Sequence, residues 1–160
     1  MTRALTILVG TTTGNAQYCA EESAFRAQAA EIAAEVKPMD GLDATVFEPG
    51  QTYLICISTY GQGDVPDNAR GVYETLIRDK PALNGVRYGI VSLGDSSHAQ
   101  TFCFAGRRFD TLLSKLGAER LGEILNHDAS SGTMPEEATA EWVLPWLTLA
   151  FEGAAAALAQ

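Results

Sequence analysis

Cysteine is scarce and scattered: Cys19, Cys56 and Cys103 are an odd number spread along 160 residues, with no C-x-x-C pair and no Cys/His cluster. A zinc site or a disulfide framework is therefore not expected, nor is any other metal centre. Basic charge is in short supply, with 11 Lys and Arg against 20 Asp and Glu and a formal net charge of -9. Phosphate backbones select for basic faces, so nucleic acid is not an expected partner. An acidic surface is steered instead toward a basic one. Long apolar runs are missing too. The run after Met1-Thr2-Arg3 stops at Gly10, and the Ala-rich stretch 151–160 is short. Neither a secretory signal nor a membrane span is expected, and the cytoplasm is the default location.

What the chain does have is 46% hydrophobic residues, with no break in composition and no internal repeat. One domain covering 1–160 is expected. Apolar runs alternate with longer amphipathic stretches, the pattern of βα units around a parallel sheet. Leu5–Val9 reads as a first strand, almost continuously apolar as a strand covered on both faces should be. The spacing predicts a helix over 16–34, and a weak strand over Glu35–Met39 that Pro38 places at a sheet edge. Tyr53–Ser58 is the strongest central strand, and a helix should cover Asn68–Arg78. Val86–Ser92 is the fourth strand and Ala105–Leu116 the helix after it, stopped by Gly117. Glu119–Leu125 reads as the fifth strand and Pro135–Phe151 as the closing helix. The expected fold is α/β: a doubly wound, five-stranded parallel sheet in three α/β/α layers. In such folds ligands bind beyond the carboxyl ends of the strands, where the strand order reverses. The segments after the first, third and fourth strands are the places to look.

The first is Gly10-Thr11-Thr12-Thr13-Gly14-Asn15-Ala16, leading straight into a helix. A helix N-terminus offers unpaired N–H groups and a partial positive charge to a phosphate. Hydroxyls and the Asn15 amide add donors without a cation. Asn15 stands where a P-loop carries Lys, and the glycines are not in the dinucleotide spacing, so a monophosphate fits best. The plainer alternative is that Thr13 or Asn15 caps the helix. After the third strand, Ser58-Thr59-Tyr60-Gly61-Gln62-Gly63-Asp64-Val65-Pro66-Asp67-Asn68 forms a constrained turn, in which Asp67 or Asn68 can cap the next helix. Tyr60 is either a lid on the core or a plate for a flat heteroaromatic ligand. After the fourth strand, Leu93-Gly94-Asp95-Ser96-Ser97-His98-Ala99-Gln100-Thr101-Phe102-Cys103 brings His98 and Phe102 as plates for the opposite face.

Taken together, these three loops resemble those of the flavodoxin family, and the resemblance runs over essentially the whole chain. Thr11–Ala16 resembles its phosphate loop, and residues 58–69 the turn shared with the FMN domains of diflavin reductases. Leu93–Ser97, Thr101–Cys103 and Arg107–Asp110 resemble the third loop and its helix, while His127-Asp128, Pro135–Glu137 and Glu141-Trp142 are similar to stand-alone MioC-type flavodoxins. The resemblance implies one non-covalent FMN. Its phosphate would lie in Thr11, Thr12, Thr13, Gly14, Asn15 and Ala16. Its ring would lie between Tyr60 and the loop that contributes Leu93, Gly94, Asp95, His98, Thr101, Phe102 and Cys103. Ser58, Thr59, Tyr60 and Gly61 would line the N5 edge, where a peptide flip commonly accompanies reduction in this family. Asp128 matches an acidic residue that approaches the flavin in diflavin-reductase domains, although an Asp there also serves to cap a turn.

One departure stands out: His98 occupies the place usually held by an outer Tyr. A His titrating near neutral pH would make the flavin potentials pH-dependent. The implied function is a monomeric electron carrier, taking electrons from a basic-surfaced NAD(P)H-dependent flavoprotein reductase and passing them to a terminal redox enzyme. The alternative is an NAD(P)H-dependent FMN or quinone reductase of the same fold, told apart by direct NAD(P)H oxidation. A phosphoryl-receiver module would need acidic residues where Thr11-Thr12 and Ser58-Thr59-Tyr60 stand. No catalytic residue is expected. His127, Trp142 and Trp146 read as structural, and Cys103, at a helix start, is the one thiol expected to have a lowered pKa.

Overall fold

The computed structural model describes residues 4–11, 14–59, 65–94 and 103–151. Strands β1 (Ala4–Gly10), β2 (Ala33–Pro38), β3 (Thr52–Ser58) and β4 (Arg87–Gly94) alternate with helices α1 (Asn15–Ala29), α2 (Arg70–Asp79) and α3 (Phe104–Lys115). Two short strands, β5 (Glu119–Arg120) and β6 (Leu125–Asp128), then lead to α4 (Pro135–Ala150). All pairings are parallel, in the order β2-β1-β3-β4-β5, with β6 also on β4. The weak strand with Pro38 is the sheet edge. There the proline withholds no hydrogen bond that a central strand would need.

The alternation of side chains along each strand divides the core in two. Leu5, Ile7 and Val9 of β1, Leu54 and Cys56 of β3, and Val91 and Leu93 of β4 face α1 and α4. Leu8, Tyr53, Ile55, Ile57, Tyr88 and Ile90 face α2 and α3. Every residue of β3 is buried, which explains its nearly unbroken apolar run. The helix α1 buries Ala16, Cys19, Ala20, Ser23, Ala24 and Ala27, and side chains this small let it pack closely on the sheet.

Three expectations need correction. The fifth strand is not continuous over 119–125. Three steps along β4, from Tyr88 to Val91, are matched by five on its neighbour, from Arg120 to Leu125. The two extra residues bulge out at Gly122, whose φ of +70° suits glycine. The carbonyl of Leu121 is taken by Trp146 Nε1 at 3.0 Å. Pairing resumes at Leu125 and runs to Asp128, so the strand reaches farther than expected and sets Asp128 opposite Gly94. The first helix ends at Ala29 rather than 34, because Ala33 and Ala34 pair with Ala4 and Leu5. A single 3₁₀ turn, Asp67–Ala69, precedes α2, which therefore starts at Arg70.

Candidate cofactor site at the carboxyl ends of the strands

Side-chain hydrogen bonds tie together the roots of the three loops. At the end of β1, the Thr11 amide donates to Asn68 Oδ1 at 3.0 Å, while Asn68 Nδ2 donates to the Val9 carbonyl at 3.4 Å. Asn68 and Asp67 were the candidate caps for the second helix. Asn68 instead spans to β1, and Asp67 lies 3.5 Å from Arg70. The Thr11 hydroxyl lies 3.2 Å from that of Ser58, and it accepts the Gly14 amide at 3.1 Å. The next residue along from β3, Thr59, donates its amide to the Leu93 carbonyl at 2.9 Å, and its hydroxyl accepts the Ala105 amide at 3.0 Å. The Ser92 hydroxyl donates to the Cys103 carbonyl at 3.3 Å, and the Cys103 thiol reaches the carbonyls of Ser92 at 3.4 Å and His127 at 3.8 Å. These bonds join the ends of β1, β3, β4 and β6 to the start of α3.

The N-termini of α1 and α3, both at this end, differ. Thr59 satisfies a first-turn amide of α3 from a neighbouring loop. Asn15 does not cap α1: the capping position is Gly14, at φ 91°, and no side-chain cap bond is formed there among the described residues, outside which Thr13 lies. Asn15 is instead the first helical residue. A Cβ on Gly14 would meet nothing within 4 Å, so this corner of the backbone is open. First-turn N–H groups lack intrahelical partners, and an open N-terminus with no side-chain cap among the described residues is a fitting donor set for a phosphate.

Among the residues expected at the site, Thr11, Gly14, Asn15, Ala16, Ser58, Thr59, Leu93, Gly94, Cys103 and Asp128 are gathered at this end of the sheet. Thr12, Thr13, Tyr60, Gly61, Asp95, His98, Thr101 and Phe102 lie outside the described residues. Asp128 does cap a turn, accepting from the Ser130 amide at 2.9 Å and its hydroxyl at 2.8 Å, while its strand register places it beside Gly94. The Cys103 expectation is reversed. Its side chain is 1% exposed, and desolvation pushes the thiol up to about 11, against a smaller opposing effect of its bond to Ser92. Being at a helix start does not offset that burial. Asn68 is the residue the sequence reading undervalued. Its signal was there, an amide with both a donor and an acceptor one strand away from a Thr-rich loop, but capping was the simpler use for it.

Comparison with known proteins agrees with this arrangement. The flavodoxin family model matches residues 7–142. Flavodoxin YqcA of Pectobacterium carotovorum subsp. carotovorum is 38% identical over 145 residues, covering 89% of this chain and 94% of that protein. The sulfite reductase (NADPH) flavoprotein alpha-component of Bacillus subtilis is 34% identical over 98% of this chain, which spans 26% of that longer protein. A solved cysteine-to-alanine mutant of flavodoxin from Pseudomonas aeruginosa superposes with a TM-score of 0.81 at 31% identity, covering 92% of this chain and 99% of that one. The strand order β2-β1-β3-β4-β5 is the one for which flavodoxin itself is the type case. The chain belongs to the flavodoxin family, whose cofactor is FMN and whose chemistry is electron transfer.

Proposed function

We propose that this chain is a carrier over 1–160, a cytoplasmic monomer that takes electrons from a basic-surfaced NAD(P)H-dependent flavoprotein reductase and delivers them to a terminal redox enzyme. What supports this reading most is the set of bonds through Asn68, Thr11, Ser58 and Thr59, which ties the roots of three loops together beside the open N-terminus of α1. When bound, FMN supplies the electron chemistry, and the protein's part is to bind, orient and tune. In this reading the amides at the start of α1 and the Thr11–Thr13 hydroxyls hold the phosphate without a cation. Asn68 holds that loop in register, and Thr59 fixes the 58–61 turn against β4 and α3. The net charge of -9 opposes placing further negative charge at the site, so a low potential is expected for the most reduced state. Protonation of His98 is the proposed source of pH-dependent potentials, to be lost in His98→Phe.

The test is the visible spectrum of the purified protein with FMN. Flavin bands that survive desalting, reduction in steps by dithionite, and NAD(P)H oxidation only when a reductase is added are the expected results. Direct NAD(P)H oxidation would make the chain a reductase, and failure to retain FMN would end the reading.

A further inference from the structure

On α3, Phe104, Arg107, Arg108, Thr111, Leu112 and Lys115 follow one another at three- and four-residue steps and so share one face. With Tyr73 of α2 they line an open groove of about 550 Å³. The guanidinium carbons of Arg107 and Arg108 lie 5.5 and 4.8 Å from the centre of the Phe104 ring, which orients both cations along an apolar floor. No carboxylate among the described residues lines this groove. Among the described residues, neither Arg108 nor Lys115 has an ion-pair partner. Asp110, also on α3, is occupied by Tyr88 and Arg120. Glu74 and Arg70 line the adjoining hollow, which Tyr73 and Arg108 also border, and there one carboxylate meets two guanidinium groups. A chain of net charge -9 thus carries one locally positive, partly apolar surface.

We propose that the α2–α3 groove is a second docking surface, taking an acidic amphipathic helix of a partner protein. The eleven steps from Phe104 to Lys115 make it about 16 Å long at a helical rise of about 1.5 Å per residue. A small ligand would lie largely exposed in so open a groove, whereas ligand pockets bury most of their occupant. A helix laid along it covers Phe104 and Leu112 with its apolar side and presents carboxylates to Arg108 at one end and Lys115 at the other. Phe104 directly follows Cys103, which is bonded to the ends of β4 and β6, so a partner docked here stands beside the cofactor site. The groove's preference for an acidic segment is independent of the carrier reading; only the use made of the docked partner rests on it.

The experiment titrates the ¹⁵N-labelled protein, incubated with FMN, with a synthetic helix of about four turns, leucines on one face and glutamates flanking them. Expected are amide shifts confined to the α2–α3 face, affinity that falls as salt is raised, and binding weakened about tenfold or more in R108E/K115E, equivalent to about 1.4 kcal/mol. K37E, a single charge reversal of the same kind placed on β2, should bind as the parent does. Shifts elsewhere, indifference to R108E/K115E, no binding, or displacement by AMP at similar concentration would each overturn the proposal, the last by making this a small-anion site. Flavin absorbance in the same samples reads the carrier proposal separately, since peptide docking does not depend on it.

Discussion

Burial overrides position for each of the three thiols. Desolvation pushes Cys19 and Cys103 up to about 11, and Cys56, fully enclosed in β3, is likewise raised well above the ordinary thiol value. The thiolate is the reactive form, so a thiol-disulfide reagent at pH 8 should find no promptly reacting cysteine in the folded protein and all three after denaturation. A fast-reacting thiol in the native state would contradict the burial of Cys103 in particular. Asn68 makes a different kind of residue-scale prediction. It satisfies the Thr11 amide and the Val9 carbonyl together. Removing both bonds in Asn68→Ala should cost about 1–2 kcal/mol, a loss of about 5–30-fold in FMN affinity by fluorescence titration. Asn68→Asp keeps the acceptor but puts a negative charge beside the phosphate loop, and should bind more weakly than the alanine variant.

At the scale of elements, β4 and α4 meet at a glycine. A Cβ on Gly89 would run into the indole of Trp146. That indole cannot withdraw without giving up its bond to the Leu121 carbonyl at 3.0 Å. Gly89→Ala should therefore destabilise the protein by about 1–3 kcal/mol or more, read as a lower urea midpoint with an unchanged slope. The contact also explains why some elements were legible and one was not. β1, β3 and β4 announce themselves as apolar runs because both faces of each are covered. The edge strand after α3 has no such run. Its break at Gly122 is decided by a tryptophan arriving from α4, which no local pattern between 119 and 125 reports. The same holds for α1, which stops at Ala29 because Ala33 pairs with Ala4, although the alanines continue at helical spacing.

For the molecule as a whole, the buried titrating groups set a limit at high pH. Tyr88 is pushed well above its ordinary 10.0, first by desolvation and then by its bond to Asp110, and Tyr53 is raised by desolvation. With the three thiols, these groups stay protonated in the folded protein while the unfolded chain begins to lose their protons near the ordinary thiol value of 9.0. The unfolded state then binds fewer protons than the native state, so stability falls as pH rises. Their contribution is fully present below about 9 and declines above it. Melting temperature should therefore drop steadily from about pH 9 to 11, and a flat profile would mean the groups are not enclosed. Net charge belongs to this scale as well. The rate of electron uptake from a basic reductase should fall as salt is raised, because an exposed charge of -9 acts mainly through long-range steering.

The fold class, the succession of the main strands along the chain and the three loops to inspect could all be read from the chain before any coordinates. Apolar runs, helical spacing and glycine-rich turns are local signals that solvent exclusion and backbone sterics write into neighbouring residues. The motifs at 11–16, 58–69 and 93–103 carried the family in the same way. Three features waited for the packed molecule: Asn68 braces β1 rather than capping a helix, Cys103 is an inert buried thiol, and the edge strand breaks and then reaches Asp128. Each depends on groups far apart in the chain, 57 residues in the case of Thr11 and Asn68, whose meeting is set by how the layers pack.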